Sequence, residues 1–414
     1  MNELIPSNKT TIKQANTSLI LRVIREAKTI SRAEISKMTG LNPATVSSRL
    51  VELIEFGLVR ETGTGESSGG RKPTLLELNA DEFAVIAIDM GTTEIHAALV
   101  NLEGKADGKM SFPLAPPYRP DSVISTMVDA AEAVLAKVGK KVALGIGIGA
   151  HGLVDSGSGT SIYAPAFQWH DVPLAEKFEQ LFQLPVRVDN DVRAMAAAEK
   201  WFGKAKSLSH FLFLNIGTGI GSGIYMNGEL LRGARYGAGE IGHVHIVDEA
   251  IGPRCFCGSE GCLSTVASGP ALETRFKKRL QQGARSLLAD REAEITGQLI
   301  YEAALQGDQL SQDMLHETGV YIGQALSGAV NLLNPEMIII GGGLSRAEKF
   351  LFPAIRQTIQ ERAMQSHAKH LKVERTALGD DSGLAGAATL IISELFQQPE
   401  QFLQMKKIRR GNER

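Results

Sequence analysis

The sequence predicts an α/β protein in which a small N-terminal winged helix-turn-helix precedes two similar lobes that share a cleft. Three observations carry that expectation. Three capped helical segments, then a Gly/Ser-rich loop between two strand-like runs, fill the first 80 residues. A strand–turn–strand unit at 84–105 recurs at 211–230. All three cysteines of the 414-residue chain fall within "CFCGSEGC", residues 255–262.

Bulk properties set the frame. A chain of this length with 43% hydrophobic residues can bury the cores of two or three domains. Met1 to Thr11 is polar, unlike a signal peptide, and no apolar run approaches membrane-spanning length. The expectation is a soluble, cytoplasmic protein without a membrane span. A net charge of −2 argues, taken whole, against a nucleic-acid partner. The average hides an asymmetry: residues 1–75 hold eleven Lys/Arg against seven Asp/Glu, and the remainder 33 against 39. A basic head on an acidic body suits a DNA-binding module attached to a sensor or enzyme.

The head is justified element by element. Ile20, Val23, Ile24 and Ala27 repeat at helical spacing and predict one buried face. Ser31-Arg-Ala-Glu34 is a capping box for a second helix, which ends at Gly40. Asn42-Pro43 opens a third, an N-cap followed by proline at the first helical position. Its apolar face is Val46, Leu50, Leu53 and Ile54; Thr45, Ser48, Arg49 and Glu52 lie opposite. That polar face suits a recognition helix in a major groove, with Asn42, Thr45, Ser47, Ser48 and Arg49 as candidate DNA contacts. Strand-like runs at Leu58–Thr62 and Thr74–Leu78 flank "GTGESSGGRKP", which reads as a wing. Arg71 could enter a minor groove and Lys72 could meet phosphate. The competing reading is a helical oligomerisation module with a flexible linker.

The body repeats itself. "AVIAIDMGTTEIHAALVNLEGK" and "FLFLNIGTGIGSGIYMNGEL" each run strand, Gly/Thr turn, strand, turn. A unit recurring about 125 residues later suggests a duplicated fold with a cleft between its halves. Amides and Thr hydroxyls in such turns can hold phosphate oxygens, and glycine lets the backbone approach. A third glycine cluster, "IIIGGGLS" at 338–345, again follows an apolar strand. In "VRVDNDVRAMAAAEKWFG" a strand ends in Asp189-Asn190-Asp191 before an Ala-rich helix. A carboxylate there could act as general base toward a sugar hydroxyl. Equally, Asn190 or Asp191 could simply cap the helix.

Cys-x-Cys-x4-Cys lacks the spacing of a dithiol redox site. Three soft ligands in one loop suit tetrahedral zinc, which wants a fourth ligand, usually histidine. His243 and His245 lie upstream in "GEIGHVHI", and spacing does not choose between them. The competing reading is three buried, unliganded thiols.

The stretch Ile216 to His243, "IGTGIGSGIYMNGELLRGARYGAGEIGH", and "RCFCGSEGCLSTVASGPAL" resemble the ROK family of repressors, open reading frames and sugar kinases. The resemblance runs from the first helix to about residue 392, and the winged helix places it on the repressor branch, similar to xylose and N-acetylglucosamine-type repressors. It implies a two-lobed actin-like, ribonuclease-H-like sugar-kinase fold with a structural zinc loop. The implied domains are 1–80 for DNA binding, 81–195 with about 383–414 as first lobe, and 196–382 as second lobe with zinc loop and dimerisation surface. Zinc would be held by His243, Cys255, Cys257 and Cys262. Sugar would be bound by Asn190, Asp191, Glu240, His243 and Gly152, with Asp191 the catalytic base of kinase members. Nucleotide phosphate would meet Asp89, Gly91, Thr92 and Thr93, then Gly217, Thr218, Gly219 and Gly221. Gly342 would lie near adenosine.

Departures from that pattern matter. Ser264 stands where the kinases carry a sugar-contacting glutamate, and His151-Gly152 replaces their Pro-Gly. The asparagine expected before "W-x-D-V-P-L" is missing from "YAPAFQWHDVPL". The first turn, Asp89-Met-Gly-Thr-Thr-Glu94, lacks the second glycine and following lysine, while the second turn is intact. The spacing from His243 to Cys255 is about two residues longer than usual. The leading expectation is therefore a sugar-responsive repressor, a homodimer or tetramer on palindromic operator DNA. The alternatives are an ATP- and Mg²⁺-dependent sugar kinase with a DNA-binding head, or a repressor controlled by a phosphotransferase-system protein.

Overall fold

The structure, a computed structural model, describes residues 9–65, 72–116, 118–248 and 252–403. Arg71 and the basic C-terminal run "MKKIRRGNER", residues 405–414, lie outside the described residues. The head contains α1 (Lys9–Ala27), β1 (Thr29–Ser31), α2 (Arg32–Thr39), α3 (Pro43–Phe56), β2 (Val59–Thr64) and β3 (Thr74–Leu78). Its caps are those the sequence predicts. Ser31 Oγ accepts from the Glu34 amide while the Glu34 carboxylate accepts from the Ser31 amide at 2.9 Å. Asn42 Oδ1 accepts from the Thr45 amide at 2.7 Å. Gly40 and Gly57 close α2 and α3 at φ 70° and 89°. The wing is a three-stranded sheet, order β1-β3-β2, because Thr29–Ser31 pairs antiparallel with Leu75–Glu77. Periodicity did not reveal so short a strand.

The duplication is real in the topology. Lobe one has β4 (Phe83–Met90), β5 (Glu94–Val100), β6 (Ala106–Pro113), α4 (Pro120–Leu135) and β7 (Val142–Ala150). A small antiparallel sheet of β8 (Leu153–Asp155), β9 (Thr160–Ala164) and β10 (Trp169–Pro173) follows, then α5 (Leu174–Phe182) and β11 (Val186–Asn190). Helix α6 (Asp191–Trp201) leads to lobe two: β12 (Phe211–Ile216), β13 (Ile220–Met226) and β14 (Glu229–Leu230). Then come α7 (Leu263–Ala267), α8 (Gly269–Gln281), α9 (Gly297–Leu305), α10 (Gln309–Leu333), β15 (Met337–Gly341), α11 (Glu348–Arg362), α12 (Gln365–Ala368) and β16 (Lys372–Arg375). Helix α13 (Ser382–Gln397) returns to lobe one. The main sheets run β11-β7-β4-β5-β6 and β14-β13-β12-β15-β16. In each, the first three strands form an antiparallel meander and the last two add in parallel beside the first.

Two helices join these sheets. α6 lies on β13, where Gly221 and Gly223 make room for Val192 and Ala196. α13 lies on β4 and β7, and a Cβ on Gly147 would fall 1.9 Å from the Ala387 carbonyl oxygen. The helices cross at Gly386, whose added Cβ would lie 2.7 Å from the Ala194 carbonyl carbon.

The head is not a tethered appendage. Ile20, Leu21 and Ile24 of α1, with Leu50 and Leu53 of α3, share one buried cluster with Phe83, Val85 and Leu144 of lobe one. Ile391, Leu395 and Phe396 of α13 complete it. The Arg25 guanidinium stacks 3.9 Å over Trp201 and donates to its carbonyl at 2.6 Å. The close α6–α13 crossing is testable: Gly386→Ala should destabilise the protein by about 1–3 kcal/mol through overpacking, measured as a lowered urea midpoint.

Candidate ligand cleft and metal centre

Asp89 ends β4 and Asp191 begins α6. Burial, and then the Asp191 charge, push Asp89 up to about 7. Burial also raises Asp191, opposed by the nearby His151 and its own helix amides. Asp191 Oδ1 accepts from the Val192 amide at 2.9 Å and from Asn190 Nδ2 at 2.8 Å.

Asn190 does what a cap does and more. Its Oδ1 accepts from the Arg193 amide at 3.0 Å, and Nδ2 donates to the Gly152 carbonyl at 3.0 Å. Gly152 holds φ 90°, and a Cβ there would lie 2.4 Å from the Tyr163 carbonyl oxygen. So Asn190 and Gly152 belong to the frame that presents Asp191. Arg193 completes that frame. Only 2% exposed, it donates to Asp189 Oδ1 at 2.7 Å, to the Val154 carbonyl at 2.8 Å, and to the Tyr236 carbonyl. A buried guanidinium needs this many acceptors. It ties the loop preceding Glu240 to lobe one.

The first glycine turn stands beside Asp89: Gly91 has no space for a side chain against the Glu94 carbonyl, Thr92 is half-buried and Thr93 is exposed. The second turn, Gly217-Thr218-Gly219 with Gly221, exposes Thr218 and Gly219. Gly342 touches the Ile216 carbonyl, so the second and third clusters are neighbours at one end of β12 and β15.

Glu240 precedes and His243 ends a short 3-10 turn, Ile241–His243. Although its side chain is 51% exposed, desolvation in the cleft raises the Glu240 carboxyl, and the His243 imidazole opposes that shift. His243 turns Nδ1 to the thiols, 3.5 Å from Cys255 Sγ, and Nε2 to Glu240 Oε2 at 3.9 Å. Cys257 and Cys262 sulfurs are 3.7 Å apart, and all four donors lie within 4.8 Å of one another. Tetrahedral zinc, at about 2.3 Å to sulfur and about 2.0 Å to nitrogen, sets S···S near 3.8 Å and S···N near 3.6 Å. The cluster fits that ion and could hold it. His245 points elsewhere, Nδ1 lying 3.0 Å from the Glu260 carbonyl, so of the two histidines it is His243 that stands with the cysteines. The Ser259 amide draws Cys257 down to about 6, whereas burial pushes Cys262 up to about 12.

A family model for the ROK family matches residues 85–394, and one for a winged helix-turn-helix DNA-binding domain matches 15–60. The chain belongs to the ROK family. It is 36% identical to a xylose repressor of Caldicellulosiruptor bescii, over 95% of this chain and 99% of that one. It is 31% identical to the DNA-binding transcriptional dual regulator NagC of Escherichia coli, over 92% and 93%. A crystal structure of a ROK family transcriptional regulator, a homolog of the E. coli MLC protein, superposes with TM-score 0.84 at 32% identity, covering 95% of this chain and 98% of that one. No helix among the described residues is long and apolar enough to cross a membrane.

Three residues of the ROK cleft escaped the sequence reading as site residues. His151 follows β7, meets Phe167 edge-on at 6.0 Å, and bears on both Asp191 and Glu240. Its departure from the Pro-Gly pattern was the available signal. Arg193 stands four residues after Asp189, the spacing of a helical ion pair. Ser264 accepts from the Ile220 amide at 3.2 Å and sits under Gly242, joining the second turn to the segment of Glu240 and His243.

On the head, Asn42 caps α3, Thr45 and Ser47 are half-buried, and Ser48 and Lys72 are exposed. Arg49 turns back to Glu52 at 3.1 Å and to Ser48 Oγ at 3.0 Å.

Two outcomes follow for the ROK domain. Zinc binding releases protons from thiols, so metal content should fall as pH falls. Purified protein should carry about one zinc per chain by mass spectrometry at neutral pH, and Cys257→Ser should carry none. An acid whose native pKa is raised favours folding at low pH and loses that contribution as pH rises, here from 3.8 to about 7. Asp89→Asn should therefore flatten the fall in urea midpoint between pH 4 and pH 7.

Proposed function

We propose that this protein is a transcriptional repressor of carbohydrate-metabolism genes, released from its operator by a sugar bound between the lobes. The supporting observation is the reach of α13. Its Gly383 abuts the Asp89 carboxylate in the cleft, a Cβ there falling 1.9 Å from Oδ2. At its other end, Ser18 of α1 donates to the Phe396 carbonyl at 2.6 Å, and Thr17 to Glu400 at 3.2 Å. Any ligand that changes the lobe angle moves a helix seated in the DNA-binding core.

Asp191 and Glu240 offer carboxylate acceptors for sugar hydroxyls, and His243 offers Nε2 beside them. Zinc on Nδ1 and the three cysteines would fix that ring's tautomer and orientation, a structural task with no open coordination position. The ion would supply no chemistry to a bound sugar. Two chains, as a homodimer or within a tetramer, would set two α3 helices in successive major grooves of a palindromic operator. The resemblance to repressors named for xylose and to NagC supports a sugar-linked regulon. Action on chromosomal DNA implies a cytoplasmic location. For the sugar to release DNA it must bind the non-DNA-binding arrangement more tightly.

A kinase reading draws on Asp191 and the intact Gly217–Gly221 turn. Opposing it, the glutamate position is Ser264, already bonded to backbone, and the first turn lacks its lysine. The third reading, control by a phosphotransferase-system protein, needs no sugar in the cleft. One experiment separates the three: anisotropy of labelled upstream DNA at low salt, titrated with unphosphorylated sugars, sugar phosphates and ATP, beside a coupled ADP-release assay. The expected result is release by one sugar class without ADP production. Glu240→Gln should raise the half-effective sugar concentration at least about tenfold, the worth of one hydrogen bond to a charged group, and leave operator affinity unchanged. Sugar-dependent ADP release abolished by Asp191→Asn would replace this reading with the kinase, and indifference to DNA would end it.

A further inference from the structure

Along α3, one stripe faces away from the head's core. Pro43, Ala44, Ser48, Val51 and Glu55 are exposed, Ser47 is half-buried beside them, and Val46, Leu50 and Leu53 are buried on the other side. Val51 is 47% exposed, on a helix whose other large aliphatic residues are buried or half-buried. The stripe holds methyl groups, two hydroxyls and, one turn on, a carboxylate. It carries no arginine, lysine, asparagine or glutamine, the side chains that grip guanine or adenine edges in two places. Asn42 Oδ1 is already committed to the N-cap.

The nearest cation touches the stripe at Ser48, donating to its Oγ at 3.0 Å, but is held by carboxylates on its other side. Arg49, with its side chain 15% exposed, pairs with Glu52 at 3.1 Å and lies 4.0 Å from Glu400. Lys13 of α1 binds the same two carboxylates at 2.8 and 2.9 Å. This four-charge network ties α3 to α1 and to the segment after α13. Pulling Arg49 out to a base would strip Glu400, 9% exposed, of part of its compensation.

We propose that the stripe Ala44, Ser47, Ser48 and Val51 reads thymine methyl groups in the major groove, so that each operator half-site is built on consecutive T·A pairs. Ala44 and Val51 supply the apolar surface that a C5-methyl group seeks, and the serine hydroxyls adapt to acceptor or donor edges between them. Arg49 is then a positioning residue. It holds the angle of α3 against α1, and the wing and α2 supply charge to phosphate, Lys37 and Lys72 both being exposed. Runs of A·T pairs also narrow the minor groove for a wing, so the two readouts favour the same DNA.

The inference rests on the DNA-binding reading, and the test separates them. The full-length protein selects from a random-sequence duplex pool, and the enriched duplex is rebuilt with deoxyuridine replacing thymidine one position at a time. The expected enriched site has consecutive thymines in each half. Removing one contacted methyl should weaken binding about fourfold, the worth of one buried carbon. Val51→Ala should bind the unmodified duplex several-fold less tightly and be indifferent to deoxyuridine at one specific position. Because Val51 is exposed, its thermal midpoint should match the parent protein. Uniform tolerance of deoxyuridine, or losses from Val51→Ala and deoxyuridine that multiply at every position, would overturn the proposal. So would an enriched guanine whose preference vanishes in Arg49→Ala, which would make Arg49 the base reader. Failure to enrich any sequence would instead remove the DNA-binding reading beneath it.

Discussion

The structure depends on how closely α13 can lie against its neighbours. Gly147 of β7, Gly386 of α13 itself and Gly383 at its start are all places where a methyl group would strike backbone or the Asp89 carboxylate. Close approach maximises dispersion contacts and leaves no slack in which one element could move alone. The buried cluster that α13 shares with α1, α3 and lobe one then extends this stiffness into the DNA-binding head. A head joined by a linker could ignore its sensor. This one shares its core with lobe one and α13, so a change in lobe geometry reaches the head unless it is absorbed in the packing between them.

The same economy governs the metal loop. One imidazole serves two environments, its Nδ1 toward three sulfurs and its Nε2 toward Glu240. A flexible histidine side chain would lose rotamer freedom each time it bound a ligand. Fixed from behind by a metal ion, it would have lost that freedom before any ligand arrived, and its contribution to affinity would rise accordingly. Arg193 does equivalent work on the opposite wall, where its guanidinium holds Asp189 and two backbone carbonyls in place around Asp191.

Much of this was legible in the sequence because it is local. Caps at Ser31 and Asn42, the left-handed glycines at 40 and 57, and the repeated strand–turn–strand unit act over a few residues. The cysteine loop was legible through composition alone. What stayed hidden depends on distant parts of the chain. Strand β1 exists only because Leu75–Glu77 comes alongside it. Arg49 looks like a base reader on a helical wheel, and its partner Glu400 is 351 positions away in the chain. The union of head and lobe is invisible to any window of sequence, since Ser18 and Phe396 meet only in three dimensions. The wing's tip, with Arg71, lies outside the described residues and adds nothing to either side of that comparison.

Ser264 shows how a ROK-family repressor can keep a kinase-like frame while altering its chemistry. Catalysis needs groups that bind a transition state better than a ground state, so losing one carboxylate is expensive to an enzyme. A switch needs only a ligand that prefers one arrangement of the lobes. In that setting the serine hydroxyl has a different use. It bonds the Ile220 amide at the end of the second turn and touches the backbone of Gly242, one residue before His243. A shift in the turn is therefore passed to the segment that carries Glu240 and His243, and so to the cysteines behind it. The residue that most weakens the case for turnover is also the one that joins the glycine turn to the segment of Glu240 and His243, and a repressor has a use for that joint.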